Sequence, residues 1–234
     1  MSGHTRHMTA WATLADIGTA AGTLVLAGAT FVAVRAAARS TRIAERTLLA
    51  GQRPVLAAGG PEDAQSVQFA DGKVFPVGNG HALVQQDTEV IYLAIPLCNV
   101  GAGLAMLRGY RLQGESAADV AQDPRGPARH LRGDPSPEPQ TFSPQQRDLL
   151  ISTGRAGFWQ AALRDPETPL YKGIAGAAET GGRVTIDVLY GDHEGGQPSV
   201  TRFVLLPEAG SWRCDATRYW SLPAGQELRD LGFS

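Results

Sequence analysis

Val184-Thr185-Ile186-Asp187-Val188-Leu189-Tyr190 is the stretch that decides how most of this chain is read. Val184, Ile186, Val188 and Tyr190 alternate against the polar Thr185 and Asp187, the period of two expected of a half-buried strand. Working outward, short apolar runs of the same kind recur between Gly, Pro, Asp and Asn. They predict strands over Ser66 to Phe69, Val74 to Val77, Val90 to Leu97, Ala105 to Leu112, Asp148 to Ser152, Gly157 to Leu163, Val200 to Leu206 and Trp212 to Trp220. Many short strands with turn-rich links and hardly a long helical pattern imply a mainly antiparallel β-sandwich, with a closed barrel as the alternative.

Before these strands the pattern is different. Ile17 to Val34 is an apolar run that closes on Arg35, Arg39, Arg42, Arg46 and Arg53. About 18 residues at a rise of roughly 1.5 Å approach the thickness of a hydrocarbon core, so the run is expected to be one transmembrane helix. The leader carries only Arg6 and two histidines, where a secretory signal would place a basic region, so a signal anchor fits better than a removed peptide. Arginines concentrated after the span predict a single-pass protein whose C-terminal part is cytoplasmic. The helical pattern continues to Ala50 as a juxtamembrane helix, and Gly51 and Pro54 are its stop signals. Arg35, Arg39, Arg42 and Arg46 fall on one face of it, where they would meet lipid headgroups or simply set topology. Gly18 and Gly22, spaced G-x-x-x-G, offer a surface for a homodimer.

Charge divides the chain at the same place. Residues 1–54 hold six arginines against Asp16 and Glu45, a balance of +4, which leaves −6 for residues 55–234 out of the chain's −2. An acidic soluble part does not suit a phosphate backbone, so nucleic acid is excluded as the expected partner. Two domains follow: the transmembrane and juxtamembrane helix over 1–54 and a β domain over 55–234. Cys98 and Cys214 sit in strand-like segments and are expected to be free thiols on a reducing face, a disulfide being the alternative in an oxidising one.

Six prolines between Glu115 and Gln146, among Asp, Arg, Gly and Ser, predict a flexible insertion over 115–146 or a loop that orders on a partner. It contains an Arg132-Gly133-Asp134 triplet, to which adhesion is not assigned.

The run Leu97-Cys98-Asn99-Val100-Gly101-Ala102-Gly103-Leu104-Ala105 carries a resemblance. A strand that runs into Asn-x-Gly-x-Gly-x-Ala, behind a helix ending in Arg53 and Pro54, resembles small actinobacterial single-pass membrane proteins of unknown function with an immunoglobulin-like β domain. The resemblance implies an immunoglobulin-like sandwich and carries over no catalytic residue. On the residues themselves, Asn99 can close an Asx-turn, and Gly101 and Gly103 are expected to adopt backbone conformations closed to other residues. A phosphate cradle fails because Met106 stands where G-x-G-x-x-G needs its last glycine.

The one concentrated polar cluster is Asp192-His193-Glu194, flanked by Gly191, Gly195 and Gly196. It is expected to be a hairpin turn. The alternative is a metal or acid/base site, which needs these side chains to converge with Asp187 or His81. No G-x-S-x-G is present and neither cysteine has a histidine beside it. Phe158, Trp159, Trp212, Tyr219 and Trp220 are expected in the core, a stacking platform being the other reading. No cofactor is expected. Two function classes remain: a membrane-anchored, non-enzymatic interaction or sensing module that recruits a protein partner, and a metal-dependent hydrolase using Asp192, His193 and Glu194.

Overall fold

Each of the nine stretches with strand patterning forms a strand, and every pairing is antiparallel. The computed structural model describes residues 26–44, 47–48, 51–60, 62, 64–78, 80–122, 135–192 and 198–222. Two units divide the chain, Met1–Ala50 and Gly51–Ser234.

In the first unit, α1 spans 26–44, and every residue of it is exposed. Arg35, Arg39 and Arg42 lie on this helix. Among the described residues, no helix is long and apolar enough to cross a membrane. Residues 17–25, which open the expected span and include Gly18 and Gly22, lie outside the described residues, as does Arg46.

The second unit runs β1 (Leu56–Ala58), β2 (Gln65–Gln68), β3 (Val74–Val77), β4 (His81–Asp87), β5 (Val90–Asn99), β6 (Ala105–Glu115), α2 (Ala117–Gln122), β7 (Ser143–Ile151), β8 (Ala156–Leu163), α3 (Pro169–Thr180), β9 (Arg183–Gly191), β10 (Ser199–Glu208) and β11 (Ser211–Ser221). Nine strands form one sheet in the order β1-β5-β4-β11-β10-β9-β6-β7, with β8 also paired to β5, and β2 with β3 makes a separate hairpin. Two groups of strands are joined where His81 and Ala82 of β4 pair with Arg213 and Trp212 of β11.

Alternation explains why both groups share one core. Ile91, Leu93, Ile95 and Leu97 of β5 meet Val184, Ile186, Val188 and Tyr190 of β9, with Phe203, Leu205 and Trp159 between them. On the other face of β5, Tyr92 and Ala94 pack under Val67, Phe69 and Val77 of the β2–β3 hairpin. A strand buried on both faces needs a continuous apolar run, which is what 90–98 provides.

β1, β4, α2 and α3 escape period-two reading. β4 reads His-Ala-Leu-Val-Gln-Gln-Asp, and its register is imposed by β5 through Leu83↔Ala94 to Asp87↔Val90. α3 carries its helix signals in small residues. The Thr168 hydroxyl accepts from the Tyr171 amide, Pro169 stands at the first turn, and Gly181 follows the end. Tyr171, Ile174 and Ala177, three residues apart, turn into the core. The helix lies so close to β6 that a Cβ on Gly114 would stand 2.3 Å from the Gly173 carbonyl oxygen.

The expected insertion over 115–146 is shorter than its composition suggests. Its start belongs to the end of β6 and to α2, and its end to a 3₁₀ turn at Pro139–Thr141 and to β7. Pro144 is tolerated because it lies on the last strand of the sheet order, beside the register shift between Leu107 and Gly109 of β6. Residues 123–134, including the Arg-Gly-Asp triplet, lie outside the described residues.

Candidate functional site

Three polar constellations concentrate the chemistry of the β unit. The first is built on Asn99, at the end of β5, which is fully buried. Its Oδ1 accepts from the amides of Gly101 (3.0 Å) and Val55 (3.2 Å), and its Nδ2 donates to the carbonyls of Gly103 (2.6 Å) and Ile151 (2.9 Å). Two acceptors face the amide nitrogen and two donors face the oxygen, so one orientation alone satisfies all four. The Asx-turn is present. The role expected of the two glycines is corrected: the left-handed glycines of this chain are elsewhere, at 72, 80, 154, 181 and 210 among others. What demands glycine is proximity, because a Cβ would stand 2.4 Å from the Arg53 oxygen at Gly101 and 1.8 Å from the Gln52 oxygen at Gly103. The segment that leads into the domain is therefore pressed against this turn. Val100 and Ala102 donate to the carbonyls of Val55 and Arg53, and the Leu56 amide donates to the Tyr190 hydroxyl. Burial pushes that phenol up to about 12.

The second constellation crosses the sheet on the face opposite the main core. Register places Arg111 of β6 opposite Asp187 of β9, Asp187 opposite Arg202 of β10, and Arg202 opposite Arg218 of β11. Asp187 is about 1% exposed. Its Oδ2 accepts from Nε and a terminal nitrogen of Arg111 (3.0 and 2.6 Å) and from Arg202 (3.0 Å), while Oδ1 accepts from Arg202 Nε (2.7 Å). The guanidinium groups of Arg202 and Arg218 lie 5.1 and 5.6 Å from the centre of the Trp220 ring. In the adjacent row, Leu189 and Val200 pack with Phe142 and Leu222. Three guanidiniums against one carboxylate leave the row at +2 on a domain that is acidic overall. Its members lie at sequence separations of 76, 15 and 16 residues, and only Asp187 was singled out by sequence, as a helper for the neighbouring turn.

The third is the turn itself. Asp192 is buried just beyond β9, and β9 and β10 pair as the two arms of a hairpin. His193 and Glu194 lie outside the described residues. The partners proposed for them do not gather there. Asp187 is committed to two arginines. His81 pairs in register with Arg213, and Arg213 with Leu206, seven residues along β10 from Ser199, which sits at the turn end. At about 3.3 Å per residue that is roughly 23 Å. Among the described residues no group of three His, Cys, Asp or Glu side chains is placed to hold a metal ion.

His81 does have a hydroxyl beside it. Ser211 Oγ lies 3.0 Å from His81 Nδ1 and 2.9 Å from the Glu208 carbonyl oxygen. A serine has one proton, and here the carbonyl takes it, so the imidazole donates to the oxygen instead of activating it. The pair fastens the β10–β11 turn. The aromatic residues divide: Trp159 is fully buried, Phe158 and Trp212 pack against the two cores, Tyr219 is exposed, and Trp220 carries the two arginines. Cys98 and Cys214 are not joined in a disulfide, and burial pushes the Cys214 thiol up to about 12. No family model, curated protein or solved structure matches this chain.

Proposed function

We propose that this chain is a membrane-anchored, non-enzymatic interaction or sensing module, held by its N-terminal helix and presenting the β domain to a protein partner on the cytoplasmic side. The observation that carries the reading is the side-chain environment of α1. Leu26, Phe31, Val32 and Val34 are 63–69% exposed. At about 100° per residue they point all round the first nine residues of the helix, and a segment apolar on every side is better placed in lipid than in water. Arg35, Arg39 and Arg42 follow at the end of the apolar run, where they suit a headgroup layer and the cytoplasmic orientation.

Residues 52–56 are fastened by Asn99, by Tyr190 and by the 100–102 turn, so little slack separates the start of the unit from its sheet. In this reading the two strand groups around the shared core are the layers of an immunoglobulin-like sandwich, and the resemblance to small actinobacterial single-pass membrane proteins is one of architecture.

A reporter fused to the C-terminus checks the orientation. The expected result is a cytoplasmic signal; an exported signal overturns the orientation and places Cys98 and Cys214 in an oxidising compartment.

A further inference from the structure

We propose that the row Arg111–Asp187–Arg202–Arg218, with Trp220, docks an extended acidic peptide segment of the partner protein; this deepens the interaction-module reading and rests on it. Asp187 spends its acceptor capacity on Arg111 and Arg202, and its side chain is about 1% exposed, so the middle of the row is sealed. Its two ends are open. The Arg111 side chain is 30% exposed and still has donors beyond those given to Asp187. Arg218 is half-buried, its guanidinium 5.6 Å from the centre of the Trp220 ring, and has no carboxylate partner among the described residues. A guanidinium held over an indole still has its N–H groups to offer, and loses less freedom than an unrestrained one when a carboxylate arrives to form a bidentate pair.

Geometry and charge select the occupant. Arg111 and Arg218 lie on strands three spacings apart, about 14 Å at roughly 4.8 Å each. An extended chain covers that distance in four residues at about 3.4 Å each, so two carboxylates at positions i and i+4 reach both ends. A long polyanion would also meet the acidic remainder of the domain, which a short segment avoids. The Trp220 face offers the segment an apolar surface beside the second carboxylate.

The test uses the full chain in nanodiscs of zwitterionic lipid and a fluorescent peptide with two glutamates four residues apart, followed by anisotropy. Saturable binding is expected, weakened about tenfold or more by Arg218→Glu, with the melting temperature of the variant near that of the parent. Arg213→Glu, on the same strand but outside the row, should leave binding unchanged. The proposal is overturned if the parent does not bind the peptide, if the glutamine version binds equally well, or if Arg213→Glu weakens binding as much as Arg218→Glu. Displacement of the peptide by inorganic phosphate or by anionic vesicles at comparable charge concentration also overturns it, in favour of a general anion site. Membrane attachment is read separately by extraction, so the two readings fail independently.

Discussion

Asn99 and Asp187 are both buried polar residues that hold strands together, yet they do so by opposite means. Asn99 is neutral and serves backbone groups: two amides and two carbonyls, of which the Gly103 carbonyl also accepts from the Thr153 hydroxyl. Asp187 is charged and serves side chains, two guanidiniums that chose the same row. Backbone groups cannot be substituted away, whereas a row of charged side chains can be exchanged for apolar ones without orphaning the chain itself. The neutral site is therefore a requirement of the fold, and the charged row is an addition to it that leaves cations to spare.

The sharpest blow falls on the neutral side. Gly103→Ala sets a Cβ 1.8 Å from the Gln52 main-chain oxygen, so the turn and the segment entering the domain must part. The expected cost is on the order of 4 kcal/mol or more, seen as loss of the cooperative thermal transition of the full chain in detergent. Asp187→Asn follows at about 3–5 kcal/mol, because two guanidiniums lose the charge they were buried against. The triple change Arg111→Met, Asp187→Leu, Arg202→Met should recover most of that loss, while Asn99→Leu has no such rescue since the Val55 and Gly101 amides lose their acceptor. Equal recovery at both sites would erase the distinction.

Alkaline pH distinguishes the interior from both. Cys214 and Tyr190 are raised from 9.0 and 10.0 to about 12 by burial. A raised acid group binds its proton more tightly when folded, so the stability it contributes is fully present below the unfolded value and is lost as pH rises toward the folded one. The melting temperature should hold up to about pH 9 and fall between there and pH 12. Cys214→Ser should delay the onset. The smallest effect belongs to Arg218→Gln, within about 0.5 kcal/mol in the same melts, since this cation makes no ion pair among the described residues and its ring contact with Trp220 is long, at 5.6 Å.

The two sites also differ in how readable they were. Asn99, Gly101 and Gly103 lie within five residues, and the Asx-turn could be read from them, though the need for glycine comes from a segment 50 residues upstream that no local pattern reveals. The Arg–Asp row is assembled by register across four strands, so its members look like ordinary polar positions until pairing aligns them. Strands whose two faces differ were legible. β4 was hidden because its side chains are half-exposed and its place is set by β5, and α3 because Gly and Ala fill the positions where larger apolar residues would have announced a helix. The ends of the proline-rich segment were misread for a related reason: Pro144 suggests a loop, but the outermost strand of the sheet order accommodates it.

The proposed anchoring depends on the N-terminal helix lying in a bilayer, and alkaline carbonate extraction of membranes from cells expressing the full chain tests that most directly. The protein should stay in the pellet, and move to the supernatant when Leu26, Phe31, Val32 and Val34 are replaced together by Gln. Release of the unmodified chain by carbonate would contradict the anchoring.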